Sequence, residues 1–140
     1  MASRDDMTEA LRRVVVPVLK EQGYTGTFPH FRRIGPDQID LLTFRFDKWG
    51  GGFVVEIGRC GPEGYTTSSG EHTPPDKVRT DDLHPDERFR LGAAAKGEDH
   101  WFRFDGRDRV DTIAWDVVTD LDQAHELMKQ SPGDASEQEL

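Results

Sequence analysis

Hydrophobic positions change period along the chain, and each change marks an element. Across residues 6–22 the apolar side chains Leu11, Val14, Val15, Val18 and Leu19 recur at three and four, with Arg12, Arg13 and Lys20 toward the flanks. That spacing predicts one stripe of a helix. Pro17 removes a helical hydrogen bond and should loosen its turn; Gly23 supplies the stop. The period then falls to two. Residues 27–34, 38–46 and 53–59 read as strands, the first suited to an edge because of Pro29. Alternation sets the register of the second and third. Phe46 faces Phe53, Phe44 faces Val55 and Leu42 faces Ile57 on an apolar face. Arg45 with Val54, Thr43 with Glu56 and Leu41 with Gly58 share a mixed one. Asp47 and Gly52 then close a hairpin around Lys48, Trp49, Gly50 and Gly51, where glycine tolerates the positive φ a tight loop needs.

The stretch CGPEGYTTSSGEHTPPDKVRTDD (60–82) has little apolar content beyond Tyr65 and Val78 and reads as a long polar loop. LHPDERFRLG follows as a short helical turn anchored by Phe89 and Leu91. Residues 100–105 alternate as a fourth strand. A last helix is expected from an Asp108 cap, with Asp111 in its first turn, to near Gln130. Its stripe is Val110, Ile113, Ala114, Val117, Leu121, Ala124 and Met128. Residues 131–140 read as an acidic, flexible tail with no apolar face.

These elements predict a single α+β domain over residues 6–130. An antiparallel sheet of about four strands carries the N- and C-terminal helices on one face, as a two-layer sandwich. Phe44, Phe46, Phe53, Val55 and Ile57 should meet Val15, Leu19, Ile113, Val117 and Leu121 in the core. The second, partly polar sheet face is expected to stay open.

Composition narrows the partners. The chain has 140 residues, 34% hydrophobic and 32% charged, with net charge -9. Such acidity disfavours bulk nucleic-acid binding, which wants clustered positive charge, and favours a basic protein surface. Cys60 is the one cysteine, so no internal disulfide is expected, which suits a reducing compartment. The opening MASRDDMTEALRR lacks the apolar stretch of a secretory signal, and no apolar run reaches membrane length. A cytoplasmic location without membrane contact is the expectation.

The order of features is familiar. The opening LRRVVVPVLKEQGY, the F-x-R strand in HFRRI, the F-x-x-x-W-G-G-x-F hairpin and a late RLG…WF segment precede a closing helix. Together they resemble a bacterial family known as a domain of unknown function, the forty-three-oh-four group, over residues 7–129. The resemblance implies a small cytoplasmic α+β domain and carries over no catalytic residue.

Gly50 to Gly52 lack the third glycine of a dinucleotide fingerprint and lead into a strand instead of a helix. GAAAKGED (92–99) has P-loop spacing, but Glu98 and Asp99 stand where lysine and serine or threonine are required. HELMK (125–129) begins like a zinc-protease helix, with Lys129 replacing the second histidine. No spacing brings a base to Cys60. His72, His84 and His100, near Glu71, Asp86 and Asp99, share no helical or strand face for a metal. No catalytic residue, metal ligand or cofactor is therefore expected. What remains is arginine with aromatics on strands and at the hairpin tip: Arg32 and Arg33 beside Phe31, Arg45, Trp49, Trp101 and Arg103. Such residues are enriched at binding hot spots. Arg33, Arg45, Trp49, Trp101 and Arg103 are the candidate binding residues. The expected function is a non-enzymatic protein-binding or inhibitor/immunity-type module using the open sheet face. The alternative is a small enzyme or ligand-binding protein with its site between that face and the 60–82 loop. In the alternative, a concave site would gather Arg103, His100 and loop acids.

Overall fold

The computed structural model describes residues 2–93 and 100–129. Helix α1 (Arg4–Glu21) starts two residues earlier than its apolar stripe suggests, because Ser3 and Asp6 form a capping box. The Asp6 N–H donates to Ser3 Oγ at 3.1 Å, and the Ser3 N–H donates to the Asp6 carboxylate at 3.0 Å. Two orphan donors are thereby satisfied. Pro17 is accommodated inside the helix, and Met7, Ala10, Leu11, Val14, Val15 and Leu19 are its buried stripe.

The expected first strand is two strands. β1 (Thr25–Thr27) and β2 (His30–Ile34) pair antiparallel, with a cis peptide bond at Phe28–Pro29 between them. Proline offers the ladder no N–H, so pairing breaks there. β3 (Ile39–Phe46) and β4 (Gly52–Cys60) form the central hairpin, and all six pairs expected from alternation occur in it. Ile39 with Cys60 and Asp40 with Arg59 extend the register. At the tip the Asp47 N–H donates to the Gly52 carbonyl at 2.9 Å, and Gly50 and Gly51 hold φ of 89° and 79°. The glycines turn the chain.

β5 (Tyr65–Thr66) and β6 (His72–Thr73) make a separate small hairpin. Two single-turn 3-10 helices follow at Thr80–Asp82 and Pro85–Glu87, then β7 (Arg88–Arg90), β8 (Phe102–Arg103) and α2 (Val110–Lys129). The main sheet runs β1-β2-β3-β4, with β7 and β8 both pairing to the same edge of β4. It therefore has six strands, not about four. β4 has backbone groups to satisfy along its whole length, and RFR after the second turn supplies part of them as a strand, not a helical turn. Leu91 is buried there, but Phe89 is 43% exposed. α2 begins at Val110, and the Ile113 N–H bonds the Arg109 carbonyl, so the cap position falls after Asp108.

Both helices lie on one sheet face. Every core residue expected from sequence belongs to that cluster, with Phe46 and Ile57 at its rim. Phe53 stacks on Phe102 at 5.2 Å between ring centroids and packs beside Phe44 and Phe46. Among the described residues no helix is long and apolar enough to cross a membrane.

The second sheet face is not open. Residues 61–87 fold across it, and Ile39, Leu41, Cys60, Val78 and Leu83 form a second buried cluster with Tyr65 against them. Gly58 makes this possible, since a Cβ there would run into Leu83 and the Glu87 carbonyl. Polar contacts pin the cover. Thr80 Oγ1 donates to Thr43 Oγ1 at 2.9 Å, Arg32 Nη2 donates to the Val78 carbonyl at 2.9 Å, and Arg45 pairs with Asp81. The physical reason is that half of this face (Ile39, Leu41, Val54) is apolar, and leaving it wet would forfeit roughly 25 cal/mol per Å². The face expected to stay open is therefore covered by the chain's own residues 61–87.

Candidate functional site

The strand arginines mostly neutralise buried carboxylates. Asp40 is 4% exposed and accepts from Arg33 at 2.8 Å and Arg59 at 3.0 Å. Glu56 is 3% exposed and faces Arg45 at 2.9 Å, Arg90 at 3.5 Å and Arg88 at 3.8 Å. A buried carboxylate is tolerated only when paired in this way. Arg33 also donates to the Gln22 carbonyl and lies over the Tyr24 ring at 4.8 Å. Arg33 and Arg45 thus stand on opposite faces of the sheet, each engaged internally. The five candidate binding residues do not converge.

Three of them share one edge of the molecule. Arg103 pairs with Gly52 across β8 and β4, and its guanidinium lies 5.5 Å from the Trp101 ring centre. The hairpin tip is adjacent, since the Phe104 N–H donates to the Gly51 carbonyl at 2.9 Å. Trp49 at that tip is 85% exposed, with Lys48 Nζ 5.2 Å from its ring.

Beside this edge, between β8 and the first half of α2, lies a cleft of about 330 Å³. His100, Trp101, Phe102 and Arg103 form one wall; Asp108, Ile113, Asp116, Thr119 and Asp120 form the other. Strand alternation turns Phe102 into the core, where it meets His100 edge-on at 4.8 Å. Helical spacing puts Ile113, Asp116 and Asp120 along one side of α2, just beside its buried stripe. Gly92 approaches His100 and Asp120 so closely that a Cβ there would collide with them. Burial pushes the Asp120 carboxyl above its usual range; His100 opposes the shift and Asp116 adds to it. Asp116 and Asp120 are like charges at i and i+4, an arrangement that costs a helix stability unless a cation sits between them.

The remaining candidates lie elsewhere. Cys60 is buried in the second cluster, and burial, with Glu87 and Asp40 nearby, pushes its thiol up to about 11, the opposite of an activated nucleophile. His72 bonds Thr66 within the small hairpin, and His84 accepts from the Asp86 N–H at a turn. His30 Nδ1 lies 3.1 Å from Thr43 Oγ1. Of the three histidines singled out in sequence, His100 alone lines the cleft. Among the described residues no three such groups gather as metal ligands. The P-loop-like spacing at 92–99 falls largely outside the described residues, as do Asp99, the tail at 131–140 and the side chains that follow His125 in HELMK. Sequence reasoning missed Asp108, Asp116 and Asp120 as a site; the signal for Asp116 and Asp120 was their place beside the core stripe of α2 instead of opposite it.

Fold and cleft define a small α+β domain with a helix-paired layer, a covered second face and one acid-lined edge. The chain belongs to the family described as a domain of unknown function (DUF4304), whose model matches residues 15–130. No curated protein and no solved structure matches it.

Proposed function

We propose that this domain is a non-enzymatic protein-binding module that receives a basic side chain of its partner in the cleft between β8 and α2. The observation that carries the reading is the convergence of Asp108, Asp116 and Asp120 on one cleft, opposite His100 and β8. A guanidinium or ammonium there would be attracted by the carboxylates, the more strongly because the cleft is partly shielded from water. Exposed Trp49 at the neighbouring hairpin tip offers a second contact at the rim. Net charge of -9 steers a basic partner toward the domain. Internal pairing takes the sheet arginines Arg33, Arg45, Arg59 and Arg88 away from a phosphate backbone.

The test uses tetra-arginine and tetra-lysine peptides as probes and the fluorescence of Trp101, isolated by Trp49→Phe and Trp115→Phe. Saturable quenching that weakens with salt is expected. Asp116→Lys should abolish it, whereas Asp37→Asn at a remote exposed position should not. Equal binding by the Asp116→Lys protein would overturn the reading.

One observation favours a second reading. His100 and Asp120 line the cleft and both approach Gly92, and such a pair could hold a small free amine as well as a side chain. That reading predicts tighter binding of a diamine such as putrescine than of the peptides in the same assay.

A further inference from the structure

We infer that the partner adds an extended strand to the outer edge of β8, so that its main chain pairs with Trp101 and Arg103 while its basic side chains enter the cleft. The inference rests on the cleft reading above and adds the conformation and sequence pattern of what binds. Two observations carry it. In an antiparallel ladder, successive residues direct their N–H and C=O groups to opposite edges. The Phe104 N–H reaches across to the Gly51 carbonyl, and Phe102 stands in register with Phe53. The backbone groups of Phe102 and Phe104 therefore point to β4, and those of Trp101 and Arg103 point away from it. Among the described residues β8 pairs with no strand but β4. That outward edge borders the cleft.

Strand alternation then dictates the ligand. An added strand lies about 4.8 Å from β8, with side chains alternating between the two sheet faces. On the helix side, every second side chain points toward Asp116 and Asp120; charge complementarity makes these lysine or arginine. On the opposite side the intervening residues meet Trp101 and Arg103, where an apolar residue fits the indole. The preferred occupant is an extended segment of a partner protein in which basic and apolar residues alternate. Main-chain pairing would supply affinity and the alternate pockets specificity. β8 is short, and a short edge is poorly suited to pairing indiscriminately, so the carboxylates across the cleft supply the selection.

The experiment titrates the full-length ¹⁵N-labelled chain with a blocked octapeptide alternating lysine and valine. Two N-methylated versions accompany it, one methylated at every valine nitrogen and one at every lysine nitrogen. Each methylation removes the donors of one strand edge, and only one edge can face β8. One methylated peptide should bind about tenfold more weakly, the loss of one or two hydrogen bonds, and the other should bind like the parent. The parent should also slow amide exchange at Trp101 and Arg103. Parent binding that shifts residues 113–120 but is equally strong for both methylated peptides would overturn strand addition and leave the cleft reading standing. No binding of the parent at all would overturn both.

Discussion

Phe44 touches three other rings: Phe28 at 5.1 Å, Phe31 at 6.2 Å and Phe53 at 6.3 Å between centroids, and it is 2% exposed. Phe44→Ala should therefore cost about 3–5 kcal/mol in urea unfolding. Its inward direction was legible from alternation alone, because a strand with one apolar face admits one register. Trp49 is the contrasting case. With its ring in solvent, Trp49→Ala should change stability by no more than about 0.5 kcal/mol. Asp120 separates stability from binding. Its carboxyl titrates above the usual range in the folded chain, so the stability it contributes is full at low pH and declines as pH rises through that raised value. Asp120→Asn should raise the urea midpoint at pH 7 while weakening the basic peptides, a trade-off expected of a functional group. A lowered midpoint with unchanged binding would make it structural. Asp116 and Asp120 were illegible as a site because aspartates on a helix flank read equally well as a solvated face; only the position of β8 gives them an opposite wall.

At the scale of elements, the segment over residues 61–87 departs most from expectation. Its composition is that of a free loop, yet Val78, Leu83 and Tyr65 suffice to seat it, because Gly58 lets Leu83 lie directly on the sheet. Three apolar residues spread over that length carry no periodicity, which is why the sequence pattern did not show a cover. Leu83→Ala should cost about 2–5 kcal/mol and expose the segment to proteolysis before the helix-facing core unfolds. Cys60 beneath the cover should label slowly with iodoacetamide at neutral pH. Tyr24, on the other face, is held by burial at about 12, and its hydroxyl lies 3.1 Å from His125. Both groups lose their protons more readily unfolded than folded. Stability should be level below pH ~9 and fall as pH rises toward the folded values near 11 and 12. Cys60→Ser and Tyr24→Phe should each flatten part of that decline, read from urea midpoints at pH 7.5 and 10.5.

For the whole molecule, charge is sorted by location. The buried carboxylates Asp40 and Glu56 are matched by arginines on the sheet, while Asp108, Asp116 and Asp120, without an ion pair among the described residues, line one edge. Helix order, hairpin register and the family resemblance were legible because each rests on local periodicity or on motif order. The sixth strand, the covered face and the cleft arise from contacts between residues far apart in sequence, which periodicity does not record. Which surface is functional is tested directly by amide chemical-shift mapping with the lysine–valine octapeptide. The expected result is a contiguous set of shifts at His100 to Phe104 and residues 108–120, with residues 30–34, 41–45 and 78–88 unmoved. Shifts confined to the latter three stretches would place binding on the covered sheet face and contradict the account.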